Sequence, residues 1–230
     1  MKYDVVVVGT GPAGSRTAKI AADNGCSVLM IEKRQEIGVP VRCGEGVSKA
    51  GLKQIGIQPE NSWIASDIKG ARIYAPNGKH VLLSEEQAGG EVGYNIYRDI
   101  FDKSLAKQAG KSGVDIMLKS SVFEVIKENN KINGVKIKSM GENLEIKADV
   151  VVGADGFESQ IGRWSGIDTS LKPNDVVPSL QYTMTNIEYD EYNDFYIGSV
   201  APGGYAWVFP KWDEANVGLG VQLSKIKKGG

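Results

Sequence analysis

Three uninterrupted apolar runs stand out along the chain: Val5-Val6-Val7-Val8, Val28-Leu29-Met30-Ile31 and Val150-Val151-Val152. They are continuous rather than alternating and rich in β-branched residues, the pattern expected of parallel strands buried on both faces. Between the first two runs the spacing turns helical, from about Pro12 to Asn24. Pro12 suits a first helical turn, where a missing N–H costs nothing, and Gly25 suits the C-terminal stop. This predicts a βαβ unit with a right-handed crossover. A second helix is predicted after Tyr97, with Ile100, Phe101, Leu105 and Ala109 on one face. Gly110 or Gly113 ends it, before a short strand at 114–117.

Elsewhere the pattern is antiparallel. Asn77-Gly78 predicts a hairpin joining 71–74 to 81–83, and Asn133-Gly134 predicts a bend within 122–137. After Gly166 come strand-like stretches at 176–185, 195–200, 205–209 and 217–223, with no helical pattern between them. They predict an antiparallel sheet and a second lobe. The boundaries expected are 1–70 with 94–168 for a discontinuous nucleotide-binding domain, and 71–93 with 169–230 for the sheet lobe.

Composition adds mainly exclusions. With 230 residues and a net charge of −1, there is room for one large or two small domains and no basic footprint for nucleic acid. The basic stretch Lys225-Ile226-Lys227-Lys228 reads as a solvated tail. Two cysteines, Cys26 and Cys43, make no disulfide scaffold and fit a reducing cytoplasm. A single histidine, His80, leaves no basis for a histidine relay or a zinc site, and no metal is expected. No apolar run reaches the roughly 18 residues that span a bilayer.

Chemistry enters at Gly9-Thr10-Gly11-Pro12-Ala13-Gly14, which follows the first strand and opens the first helix. This is a dinucleotide fingerprint, and Glu32 ends the second strand where that motif expects an acid. Gly9 permits the tight turn, Gly11 lets the backbone approach a pyrophosphate, and Gly14 lets helix and strand pack closely. The helix N-terminus offers N–H groups and a positive dipole end to the phosphates. Glu32 can accept from both ribose hydroxyls and would repel a 2′-phosphate. The fingerprint alone does not separate FAD from NAD.

The segment Ala148-Asp149-Val150-Val151-Val152-Gly153-Ala154-Asp155-Gly156 resembles the second FAD motif of glutathione-reductase-type flavoproteins, in the branch of aromatic hydroxylases and geranylgeranyl reductases. FAD is too long for one βαβ unit and needs a second clamp. Arg98, in the first turn of its helix where the macrodipole disfavours a cation, resembles the arginine of that branch which lies near the flavin. A surface pairing with Asp102 is the alternative. The resemblance also counts Pro12, Ala13, Lys33, Cys43, Gly44 and Val122 among the cofactor-binding positions.

Two further stretches narrow the family. Pro40-Val41-Arg42-Cys43-Gly44-Glu45-Gly46-Val47 resembles the cysteine–glycine loop of archaeal geranylgeranyl reductases, and Gly204-Tyr205-Ala206-Trp207-Val208-Phe209-Pro210 resembles their YxWxFP substrate-cavity motif. In a strand, Tyr205, Trp207 and Phe209 share a face and form an apolar wall. Gly218 and Gly220, on the next strand, either leave volume beside that wall or are simply covered by it. The resemblance implies an α/β fold: an FAD-binding Rossmann-like domain with an antiparallel substrate lobe. It further implies saturation of C=C bonds in geranylgeranyl or digeranylgeranyl glycerophospholipids by reduced FAD, an external electron donor, and work at a membrane surface. Cys43, on a loop expected to be mobile, would be the catalytic residue. The alternatives are an FAD-dependent aromatic monooxygenase and a non-catalytic FAD- or prenyl-binding fragment. The family's third FAD segment, a Gly-Asp motif before a helix, is not reached before Gly230, so an incomplete chain is expected.

Overall fold

The computed structural model describes residues 1–84, 86–87, 92–188 and 190–226; Lys227 and Lys228 of the basic stretch lie outside the described residues. In chain order the elements are β1 (Lys2–Val8), α1 (Pro12–Asp23), β2 (Val28–Ile31), β3 (Gly46–Ser48), α2 (Lys49–Gln54), β4 (Ile64–Ile68), β5 (Gly70–Tyr74), β6 (His80–Ser84), β7 (Gly93–Ile96) and α3 (Arg98–Lys111). They continue as β8 (Asp115–Met117), β9 (Ser120–Glu128), β10 (Lys131–Ser139), β11 (Glu142–Gly153), α4 (Gln160–Trp164), β12 (Ser179–Thr185), β13 (Tyr192–Tyr196), β14 (Tyr205–Lys211) and β15 (Glu214–Gly220).

Contacts divide the chain into two compact units, Met1–Val41 with Asp99–Ser170 and Arg42–Arg98 with Leu171–Gly230. The first holds a six-stranded sheet in the order β8-β2-β1-β11-β10-β9. β1 runs parallel to β2 and β11, while β9, β10 and β11 are antiparallel. Alternation along the strands feeds two cores. Val6, Val8, Leu29, Ile31, Val135 and Ile146 pack on one side, and Val7, Val28 and Met30 pack on the other with Ala18 of α1 and Ala106 and Ala109 of α3. Burial of these aliphatic groups, at about 25 cal/mol per Å², is what holds the helices on the sheet. The third apolar run departs from the expectation of burial on both faces, since Val150 is 52% exposed.

The second unit holds a six-stranded sheet, β12-β15-β14-β13-β5-β6, and a small sheet, β3-β7-β4. Every pairing in the large sheet is antiparallel except β13 with β5. The units break after Val41, Arg98 and Ser170, whereas the sequence boundaries fall after 70, 93 and 168. Ser66 Oγ of β4 and Asn95 Nδ2 of β7 both donate to the Pro210 carbonyl of β14, at 2.6 and 2.8 Å, drawing the small sheet to the large one.

Several local expectations shift for identifiable reasons. The Asn77-Gly78 hairpin forms as read, with Gly78 at φ +79 between β5 and β6. The turn near Asn133-Gly134 instead falls at Asn129-Asn130, both at positive φ, and Gly134 sits at an irregularity within β10. A Cβ on Gly134 would stand 2.1 Å from the Ile146 carbonyl oxygen, so the glycine serves strand contact rather than a turn. Ile100 is 39% exposed, while Phe101, Asp102, Leu105, Ala106 and Ala109 are buried, so the inward stripe of α3 starts one residue later than read. The last strand is displaced to Glu214–Gly220 by a two-residue turn at Trp212 (φ +54) and Asp213.

Candidate functional site

The first unit gathers the nucleotide fingerprint. β1 stops at Gly9, whose φ of +105 turns the chain into α1, and a Cβ there would meet the Ala154 carbonyl oxygen at 2.2 Å. Gly14 is pinned in the same way against the Gly9 carbonyl at 2.0 Å. Both glycines are therefore required by the protein's own packing. Gly11 is different. It caps α1 in extended geometry (φ −67, ψ −178), no side chain caps the helix, no acid stands in its first turn, and a Cβ would meet nothing within 4 Å. The glycine at this position leaves an open approach to the bare helix N-terminus, a surface that suits an anion. In the second turn of α1, Arg16 Nε is buried without a hydrogen-bond partner. Pro12 is the first residue of α1, Ala13 is exposed beside it, and Lys33 is exposed after β2.

Glu32 is tied into this turn. Its Oε2 accepts from the Thr10 hydroxyl (2.7 Å) and N–H (3.3 Å), and its Oε1 accepts from Arg34 N (2.9 Å). A carboxylate has room for about four donors, so a further one can still be accommodated. Thr10, 1% exposed, is a contributor that the sequence reading passed over as the variable position of the fingerprint. The available signal was a hydroxyl residue between the two glycines that face the acid.

Asp155 follows β11, with Gly156 at φ +91. Its carboxylate accepts from Ser159 Oγ (2.8 Å), Gln160 N (2.7 Å) and Ile161 N (3.0 Å), which caps α4. Asp155 thus has a structural task in addition to any toward a ligand. Val122 of β9 is partly buried against the core of the first unit. Taken together, the open Gly11, the uncapped helix and the buried unpartnered Arg16 Nε fit the pyrophosphate of an extended dinucleotide such as FAD.

The second unit gathers the remaining expected residues. Tyr205, Trp207 and Phe209 do share a face of β14, with ring centroids 5.8 and 6.4 Å apart along the row. Phe195 of β13, which the sequence reading did not single out, lies edge-on to Tyr205 (5.4 Å) and Phe209 (5.2 Å) and completes a cluster of four rings. Tyr205 is 46% exposed, whereas Trp207 and Phe209 are each 8% exposed. The volume beside the wall at Gly218 is filled: a Cβ there would come within 2.5 Å of Trp207 Cζ2, because the indole lies over the glycine. Trp207 is fixed there by its Nε1 donating to Gln181 Oε1 at 3.0 Å. Of the two accounts of Gly218, coverage by an aromatic is the one seen.

Gly44 lies against this wall, with a hypothetical Cβ 3.1 Å from Phe209 Cε2 and 3.7 Å from Trp207 Nε1. Cys43 is partly buried, and its Sγ accepts from Glu45 N at 3.2 Å. The loop is not the free segment expected from its glycines. Glu45 is 5% exposed and bonded to Arg98 N (2.7 Å), Asn216 Nδ2 (2.6 Å) and Lys211 Nζ. Arg98 opens α3 as read, and its backbone N–H is one of the groups holding Glu45. Lys211 in turn lies 4.8 Å over the Tyr97 ring. Burial raises the Tyr97 hydroxyl above its ordinary value, with the acids Glu214, Asp213 and Glu45 adding to the effect. Among the described residues no group of acids, cysteines and histidine could hold a metal ion, and no helix is long and apolar enough to cross a membrane.

The family model for FAD dependent oxidoreductases matches residues 4–200, and that for the geranylgeranyl reductase catalytic domain matches residues 175–230. The digeranylgeranylglycerophospholipid reductase of Picrophilus torridus is 49% identical over 231 residues, covering 99% of this chain and 58% of the relative. That of Methanosarcina acetivorans is 52% identical over 229 residues, covering 98% and 56%. A geranylgeranyl bacteriochlorophyll reductase-like protein of Thermoplasma acidophilum superposes with a TM-score of 0.94 at 51% identity, covering 99% of this chain and 58% of that one. A flavin-dependent brominase at 21% identity and TM-score 0.77, covering 96% of this chain and 57% of its own, shares the fold. The chain therefore spans a little under three fifths of the length of the curated relatives it matches.

Proposed function

Because this chain belongs to the FAD dependent oxidoreductase family and is similar over nearly its whole length to digeranylgeranylglycerophospholipid reductases, we propose that it forms part of a reductase that saturates C=C bonds in the geranylgeranyl chains of a glycerophospholipid. The observation that carries the reading is the cluster Phe195, Tyr205, Trp207 and Phe209 with Gly44 packed against it. An isoprenoid offers no hydrogen bonds, and an aromatic surface can orient it and exclude water.

In this reading the first unit binds the nucleotide part of FAD. The helix N-terminus at Gly11, Pro12, Ala13 and Gly14 faces the pyrophosphate, Glu32 accepts from a ribose hydroxyl, and Lys33, Val122, Asp155 and Gly156 complete that side. Arg98, Cys43 and Gly44 are assigned to the flavin end. Reduced FAD, when bound, supplies the two electrons that each double bond consumes; two protons complete the saturation. An isolated alkene is a weak acceptor, so a proton must arrive early while positive charge develops on the tertiary carbon. The exposed face of Tyr205 stabilises that charge. The Cys43 thiol is assigned the transfer of that proton from Sγ to the less substituted carbon, after which it is reprotonated from solvent. Electrons come from an external donor, and the lipid is met at a membrane surface.

Stopped-flow reoxidation tests the reading. Dithionite-reduced, FAD-loaded protein mixed anaerobically with digeranylgeranyl lipid should regain the oxidised-flavin spectrum, and the fully saturated lipid should leave it reduced. Reoxidation by oxygen alone, with an aromatic substrate hydroxylated and the prenyl lipid untouched, would replace this reading with a monooxygenase.

A further inference from the structure

Glu45 stands out as a conformational anomaly with a purpose. Its backbone lies at φ +72, a region that L residues other than glycine seldom occupy. It is flanked by Gly44 and Gly46, so a third glycine would meet the backbone requirement without strain. What a glycine would lack is the carboxylate, and every part of Glu45 is engaged. Its Oε1 accepts from Arg98 N at 2.7 Å, where α3 begins. Its Oε2 accepts from Asn216 Nδ2 at 2.6 Å and from Lys211 Nζ, on β15 and β14. Its carbonyl accepts from Ile96 N at 2.9 Å, and its own N–H donates to Cys43 Sγ at 3.2 Å.

The partners are as buried as Glu45 itself. Lys211 is 3% exposed and Asn216 is fully buried. Asn216 Nδ2 also reaches the Gly44 carbonyl at 3.2 Å, so one amide holds both Gly44 and Glu45. A buried ion pair is a poor source of net stability, because desolvation offsets most of its attraction and apolar replacements are often as stable. Its retention here, around a strained turn, makes sense if it fixes a geometry. That geometry is the direction of the Cys43 sulfur and the seating of Gly44 on Phe209, where a Cβ would already be 3.1 Å from the ring.

We propose that Glu45, with Lys211 and Asn216, is a positioning residue: it locks the Cys43–Gly46 turn against the aromatic wall and thereby sets the orientation of the Cys43 thiol. This rests on the assignment of Cys43 to the active site, but its test does not require catalysis. The two carboxylate oxygens tie the turn to both the start of α3 and the β14–β15 pair, so removing the carboxylate should free the turn without unfolding the unit.

The experiment is cysteine alkylation by iodoacetamide on the purified 230-residue chain, with Cys26 of the first unit as internal control and peptide mass spectrometry reading each site. Glu45→Gln places an amide donor against Lys211 and Asn216. Glu45→Gly with Lys211→Met removes the carboxylate, the unpaired charge and the backbone strain together. Both variants should alkylate Cys43 about tenfold faster than the parent, as expected for local opening, while Cys26 stays within about twofold. The urea midpoint of the double variant should recover toward the parent while Cys43 stays fast, a separation that a merely structural role would not give. Cys43 rates within about twofold of the parent in both variants, or Cys26 rising in parallel with Cys43, would overturn the proposal. Should alkylation respond as expected while prenyl lipids fail to reoxidise the flavin, the positioning role stands and the reductase reading falls.

Discussion

Replacing Gly11 by alanine separates what the protein needs from what the ligand needs. At Gly9 and Gly14 the packing itself forbids a side chain, with backbone oxygens 2.2 and 2.0 Å from a Cβ. At Gly11 the backbone is ordinary and a Cβ meets nothing within 4 Å. Alanine is a poorer N-cap than glycine by roughly 0.5 kcal/mol. Against that, it restricts the unfolded chain and regains about 0.4–1 kcal/mol. The two nearly cancel, so the stability of the flavin-free chain should change by less than about 0.5 kcal/mol in urea denaturation. In the proposed FAD site the methyl nevertheless stands where the pyrophosphate approaches the uncapped helix. Overpacking of that kind costs about 1–3 kcal/mol, which corresponds to roughly 5- to 150-fold weaker FAD binding. Fluorescence titration of the flavin-free chain with FAD reads this directly. An FAD affinity within about twofold of the parent would refute the placement of the pyrophosphate at Gly11.

Three further substitutions test the frame around both sites. Gly218→Ala would bring a Cβ to 2.5 Å from Trp207 and 2.7 Å from the Leu180 carbonyl, and should lower stability by about 1–3 kcal/mol with a shifted tryptophan emission. Asp155→Ala removes the acceptor of the Gln160 and Ile161 N–H groups at the start of α4 while leaving the Ser159 cap; a loss of about 1 kcal/mol is expected, with faster amide exchange at Gln160 and Ile161 but not in β1. Trp207→Phe deletes the hydrogen bond to Gln181 while keeping a ring over Gly218. It should cost about 0.5–1.5 kcal/mol in urea denaturation.

Much of the first unit could be read because its signals are local. Continuous apolar runs, Pro12, Gly25 and the spacing to Glu32 all act within one βαβ segment, and β1, α1 and β2 formed where that spacing placed them. The face shared by Tyr205, Trp207 and Phe209 follows from strand periodicity alone. What escaped depended on partners distant in sequence or on competing turns. Gly134 looked like a hairpin residue, but Asn129-Asn130 tolerate positive φ and took the turn. The strands of the small sheet, β3, β4 and β7, run only three to five residues and are held through Ser66 and Asn95, whose common acceptor lies more than a hundred residues away. The same holds for the Cys43 turn: two flanking glycines suggest mobility, and only the fold brings Lys211, 166 residues from Glu45, to pin it.

Lipid mass spectrometry tests the proposed saturation of prenyl lipids by reduced FAD most directly. The FAD-loaded protein, reduced with dithionite and incubated anaerobically with digeranylgeranyl glycerophospholipid, should yield lipid heavier by one H₂ for each double bond consumed, with the yield falling when Cys43 is replaced by serine. Flavin that stays bound and reduced while the lipid mass does not change, across geranylgeranyl lipids with and without a phosphate headgroup, would contradict the account.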